Sequence, residues 1–222
     1  ALPISNAAKT SMSSKIIGAE SDFFANLAVT AALRVRVDSK VEGKVKCPIS
    51  NIHILKCHGL GALDSELVDG FALRASRGSS AMPARIEKAK IACLDFSLQK
   101  HKLQMGVSVV VTDTKQVEAF RQRELDITQE KIKKILESGA NVVLTTKAID
   151  DPCMKYFVEA GVIAIRRVDR NDMKRIAKAT GAKIVVTMAD MEGDEGFDAS
   201  NLGSCESVSE ERVGDGELLF FR

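Results

Sequence analysis

Apolar positions recur at helical spacing early in the chain and later gather into short unbroken runs, so two regions of different character emerge. From Leu2 to about Val37 the spacing predicts helix. Phe23, Phe24, Leu27, Ala28, Ala31 and Ala32 form one stripe, with Ser21 as its N-cap. Residues 38–47 are polar and charged, contain a glycine, and predict an exposed hairpin or loop. A short apolar run, Ile49 to Cys57, then leads into the turn Gly59-Leu60-Gly61.

From about Leu63 the pattern alternates. Strand-like runs fall at 67–73, 89–94, 107–112, 141–145, 162–166, 183–187 and 218–221, with helical stretches between several of them. One helix is expected from about Thr114 to Ser138, closed by Gly139. A second starts at Asp151-Pro152, with Asp151 as N-cap, and ends before Gly161. A third runs from Asn171 or Asp172 to Thr180, closed by Gly181, and residues 189–204 read as an acidic loop. Alternating strands and helices predict an α/β layer.

Two helices depart from a plain core pattern. In the second, Cys153, Tyr156, Phe157 and Ala160 fall on the face that would meet a sheet, yet Met154 and Val158 are apolar on another side, flanked by Lys155 and Glu159. Either Met154 and Val158 pack under a loop, or they form a mixed apolar and charged ledge for a protein partner. The helix at 114–138 has an early stripe (Val117, Phe120, Ile127), a late one (Ile132, Ile135, Leu136) and a wholly polar stretch, Arg121 to Glu124, between them. It is either one amphipathic helix or a helix that projects, with only its C-terminal half packed.

Composition narrows the function classes. The 222 residues are 45% apolar, enough for a real core, and the net charge of +2 leaves the signs nearly balanced. No basic stripe argues for nucleic acid; Arg166-Arg167 and Lys131/Lys133/Lys134 are short clusters among acids. No run of about 18 apolar residues argues for a membrane span. The five cysteines are irregularly spaced without CxxC, which fits a reduced, intracellular protein, and Cys93 and Cys153 sit in apolar runs. A chain opening on Ala-Leu-Pro, almost inside a helix, reads as a fragment boundary.

Motifs that invite chemistry fail on context. Gly214-Asp215-Gly216 lies between strand-like stretches and predicts a tight hairpin turn, not a phosphate loop. Gly59-Leu60-Gly61 lacks a third glycine, and no GxxxxGK[ST] occurs. His53, Cys57 and His58 lack a fourth metal ligand at useful spacing. Asp150 and Asp151 open a helix, where its dipole favours carboxylates without catalysis. An enzyme with an active site assembled from distant positions, or a plain scaffold interaction module, remains open at this point.

A denser set of residues carries a resemblance. Thr10-Ser11-Met12-Ser13-Ser14-Lys15 resembles the TS…SK loop of group II chaperonin intermediate domains. Gly139 to Val143, Ile149-Asp150-Asp151, Tyr156-Phe157, Ala164 to Val168 and Arg175 to Ala182 look like the apical signature of the same family. Ile54-Leu55-Lys56 before His58-Gly59, and Lys90 to Lys100, look specifically like the alpha branch of its eukaryotic cytosolic members.

The resemblance implies an α/β chaperonin apical domain from about residue 63 to 222, with a β-sheet core flanked by helices and a helical protrusion at about 114–131. It implies a partial α+β intermediate domain over residues 1–62. The helix at 151–160 and the facing loop at about 95–106 would form a groove for non-native client proteins. Asp151, Met154, Lys155, Val158 and Glu159 would line one wall and Lys100, His101 and Lys102 the other. Lys15 would sense the nucleotide's terminal phosphate in the whole subunit, which would bind ATP and Mg, join other subunits in a hetero-oligomeric double ring, and fold cytosolic proteins such as actin and tubulin. The family's GDGTT loop and catalytic aspartate are absent from these residues, so the resemblance implies no ATP hydrolysis and no cofactor here.

Overall fold

The computed structural model describes residues 2–38, 45–100, 114–189 and 196–222. Within them the chain divides into two compact units. One comprises Ala1–Asp69 with the hairpin tip Val213–Gly216, the other Gly70–Arg212 with Glu217–Arg222. The division falls between Asp69 and Gly70, later than the boundary read near residue 62.

The smaller unit is helical. Helix α1 (Leu2–Met12) packs on α2 (Ser21–Arg34), and a 3-10 turn, Ile16–Glu20, joins them. That turn runs straight into α2, so Ser21 is the first helical residue and Glu20 the cap, which corrects the expected cap. Ala25, Val29 and Ala31 are the buried positions of α2, whereas Ala28 is exposed, so the buried stripe is rotated from the one expected. Ile16–Arg34 has the length and mean hydropathy (1.3) of a membrane-crossing helix, although it carries Glu20 and Asp22 near its start. Strands β1 (Val37–Asp38) and β2 (Val45–Lys46) pair antiparallel, as the expected hairpin requires. His58 is tied to the hairpin tip: Asp215 N–H donates to its carbonyl (3.3 Å), and its Nδ1 lies 3.3 Å from the Asp215 carboxylate. Among the described residues no group of three or more His, Cys, Asp or Glu side chains converges.

The larger unit is built on a seven-stranded sheet. Its strands are β3 (Phe71–Leu73), β4 (Arg85–Leu94), β5 (Val142–Thr145), β6 (Ile163–Ile165), β7 (Ile184–Val185), β8 (Gly203–Val213) and β9 (Gly216–Phe221). They run in the order β3-β9-β8-β4-β5-β6, with β7 beside the end of β4. Helices α3 (Thr114–Glu137), α4 (Asp151–Glu159) and α5 (Arg170–Thr180) connect β4, β5, β6 and β7, which are parallel. The strict alternation of a strand decides which helix covers which face. Ile91, Cys93, Val142, Leu144, Ile163 and Ile165 meet Met173, Ile176 and Ala177 of α5. The intervening Ala92, Leu94, Val143 and Ala164 meet Ile132 and Ile135 of α3 and Cys153, Met154 and Phe157 of α4.

Most expected elements are present. The fold class is α/β, α3 ends at Gly139 in a left-handed conformation (φ +87°), and the β8–β9 hairpin turns at Gly214 (φ +59°). The third strand is confined to residues 71–73, and β8 begins inside the expected loop at 189–204. The expected strand at 107–112 lies outside the described residues. In α3, Ile132 and Ile135 are buried whereas Glu118, Ala119, Gln122 and Arg123 are exposed, so its C-terminal part is the packed one.

Candidate functional site

Helix α4 starts one residue earlier in its capping than expected. Asp150, not Asp151, is the N-cap, and its side chain does not cap its own helix. The carboxylate instead accepts from the backbone N–H of Lys100 (2.9 Å) and from Gln99 Nε2 (3.2 Å). Asp150 N–H donates to Leu98 O, and Leu98 N–H to Ala148 O (both 3.1 Å). From the other side, the buried Thr128 of α3 donates its hydroxyl to Gln99 O (3.0 Å). The segment 98–100 is thereby stapled between α3 and the start of α4. The dipole explanation for the paired aspartates is incomplete: the Asp150 carboxylate also anchors segment 98–100.

The two sides of α4 separate clearly. Cys153 and Phe157 are buried against the sheet and Tyr156 is half-buried, but Ala160, expected on the same face, is exposed at the helix end. Asp151, Lys155 and Glu159 are exposed and Val158 is half-buried. Lys155 and Glu159 pair along the helix (3.7 Å), and Asp151 faces Arg166 (3.7 Å).

Met154 is not on the ledge. It is 5% exposed, and it lies inside the core with Met82 and Ala164. The cause is a loop preceding β4. Gly78 N–H donates to Ala164 O on the edge strand β6 (2.8 Å), and Ala164 N–H points at Met82 Sδ (3.4 Å). This loop covers the second apolar side of α4, and the absent side chain of Gly78 makes room: a Cβ there would meet Met154 Cε at 2.5 Å. Arg77 holds the loop down through an ion pair with the largely buried Glu210 (2.7 Å). Packing under a loop is therefore the outcome for Met154, while Val158 keeps part of its surface in water.

Two shallow depressions flank the stapled segment. One, about 370 Å³, is lined by Gln99, Lys100, Asp150, Asp151, Arg166 and Arg167 among others. The other, about 310 Å³, lies against Phe96, Lys100, Ile127, Lys131, Val186 and Met188. Lys100 lines both and is half-buried, whereas His101 and Lys102 lie outside the described residues. Lys15 belongs to the smaller unit, exposed between α1 and the following turn, where its carbonyl accepts from Gly18 N–H (2.8 Å).

Among the described residues, the ionisable groups with shifted pKa values are structural ones. Burial pushes the Cys93 thiol up to about 12 and, foremost, the Cys153 thiol up to about 11, which leaves both as inert core thiols. The Thr146 hydroxyl, followed by Arg170, holds Asp95 below the usual carboxylate range against the effect of its burial. Ser209 and then Arg222 do the same for Glu211, and the Ser200 backbone N–H and hydroxyl for Asp198. Carboxylates kept ionised in this way are poor proton donors at neutral pH.

A family model described as the TCP-1/cpn60 chaperonin family matches residues 3–222. The chain is 55% identical over 221 residues to T-complex protein 1 subunit alpha of Arabidopsis thaliana, covering 100% of this chain and 40% of the relative. It is 54% identical over 217 residues to the protein of the same name from Schistosoma mansoni, covering 98% of this chain and 40% of that one. Thermosome subunit beta of Aeropyrum pernix is 38% identical over 214 residues, with 96% of this chain and 37% of the relative covered. Among solved structures, the open-state monomer of a group II chaperonin from Methanococcoides burtonii superposes with a TM-score of 0.75 at 28% identity, covering 99% of this chain and 47% of that one. The chain thus spans less than half the length of these relatives.

Proposed function

Because the chain belongs to the TCP-1/cpn60 chaperonin family, we propose that it binds exposed segments of non-native proteins along the outer face of α4. Two observations favour this reading: a half-buried Val158 lies between exposed Lys155 and Glu159, and at the start of the same helix Asp150, with Thr128 of α3, holds segment 98–100 in place. A ledge of mixed chemistry suits many sequences and specifies none. It also binds each weakly, because little area is desolvated and an unfolded client loses entropy on ordering.

In this reading residues 70–222 act as the apical domain, and the smaller unit is part of the intermediate domain. The exposed N-terminal part of α3 is the base of the protrusion. Asp151, Lys155, Val158 and Glu159 form one wall of the groove and Lys100, with His101 and Lys102 beyond it, the other. The whole subunit is an ATPase that holds ATP and Mg outside these residues and assembles with others in a hetero-oligomeric double ring in the cytosol. Lys15 reports there on the terminal phosphate. Several subunits engaging one client would multiply a weak single groove into useful avidity. Actin and tubulin are the clients that the eukaryotic branch implies.

The test is a titration of the chain with a chemically unfolded model protein and with the same protein native. Binding is expected for the unfolded form alone. Val158→Lys should weaken it about tenfold, as loss of one aliphatic contact does, while the fold persists because a lysine stem can lie along the same surface. Equal binding of the native protein, or an unaffected Val158→Lys variant, would overturn the reading.

A further inference from the structure

The charges on α4 are paired with one another or with close neighbours. Lys155 faces Glu159, Asp151 faces Arg166, and the Asp150 carboxylate is taken by Lys100 N–H and Gln99 Nε2. In the lining of the 370 Å³ cleft, Arg167 is different. It is exposed, and its guanidinium has no ion pair among the described residues. Its backbone sits at φ +59°, in the left-handed region that a residue with a Cβ adopts only at a cost. The neighbours impose this conformation: Arg167 N–H donates to Lys147 O and Val168 N–H to Thr145 O (both 3.0 Å), and Val168 is buried. The backbone of Arg167 is thus fixed at the carboxyl ends of β5 and β6, and its side chain lines the cleft. Lys147, on the adjoining strand end, is exposed, but its charge acts on Asp95.

We propose that this cleft selects acidic client segments: a client Asp or Glu carboxylate sits against Arg167. The inference rests on the client-binding reading above and names what that site prefers. Apolar contact at Val158 supplies attachment, and Arg167 supplies discrimination, which is the usual division between apolar and charged contacts. An exposed pair of this kind is screened by salt, so the preference belongs to low ionic strength.

Two fluorescent unstructured peptides test this. They share their apolar residues, but one carries glutamate where the other carries glutamine. Titrated with the 222-residue chain at low ionic strength, the glutamate peptide should bind about fivefold more tightly, and the advantage should fade as salt is added. Arg167→Gly removes the cation and also relieves the left-handed backbone, so folding is not at risk. It and Arg167→Gln should bind both peptides at the glutamine level. Equal binding of the two peptides by the unaltered chain, or an acidic preference that survives Arg167→Gly, overturns the proposal while leaving the ledge intact. If neither peptide binds, the ledge reading fails and this one fails with it.

Discussion

Asp95 shows how one residue ties two strand ends to the start of a helix. It follows β4, accepts from the Thr146 hydroxyl after β5, and pairs with Arg170 at the start of α5 (3.0 Å). Its pKa is lowered, first by the Thr146 hydrogen bond. A carboxyl whose folded pKa is depressed contributes stability that is fully present above its unfolded pKa and lost as pH falls through the folded value. Thr146→Val should therefore lower the melting temperature at neutral pH, and the gap from the unaltered chain should close as pH drops below the ordinary aspartate value of about 3.9. A gap that stayed constant on acidification would mean the effect is packing, not charge. The thiols offer a second residue-scale test. Cys47 and Cys57 are exposed, whereas Cys93 and Cys153 are buried with raised pKa values. An alkylating reagent should modify the first pair quickly and the second only on unfolding.

At the scale of elements, α4 was only half legible in the sequence. Its existence, its Pro-marked start and the inward Cys153 and Phe157 follow from local signals. The seat of Met154 does not, because a loop far earlier in the chain covers it through Gly78, an interaction without trace in helical periodicity. Gly78→Ala should force Met154 aside and destabilise the protein, and Met154→Ala should cost about 2–5 kcal/mol in a denaturant titration. An unaltered midpoint for Met154→Ala would mean that the side chain is not packed as described. Of strand β8 only the end beside the turn at Gly214 was legible, for another reason. Val208 is its one fully buried large apolar residue, and Ser207 and Ser209 are buried beside it. With serines on covered positions, no hydrophobic alternation announces a strand. The role of Asp150 had a signal, an acid just before an Asp-Pro helix start, but its partners Gln99 and Lys100 are distant in sequence and invisible locally. Asp150→Ala should free segment 98–100 and speed amide exchange at Lys100, whose N–H loses its acceptor.

For the whole molecule, both hydrophobic cores lie in the larger unit: one joins the sheet to α5 and the other joins it to α3 and α4. The smaller unit buries Ala25, Val29 and Ala31, small or medium side chains, while Ile16, Ile49 and Ile54 are 104%, 80% and 78% exposed. Burial of apolar area is the dominant favourable contribution to folding, so the two units differ in their capacity to fold alone. A chain shortened to residues 70–222 retains both cores, the stapled segment and the whole of α4. It should unfold in a single cooperative thermal transition and bind the unfolded model protein as the longer chain does. Residues 1–69 alone should show helical circular dichroism but no sharp transition, since little covered apolar surface opposes the chain entropy. If residues 70–222 failed to fold while the longer chain folded, the smaller unit would have to supply stability that its own sparse core does not account for. Retained folding with lost binding would instead move the client surface off α4.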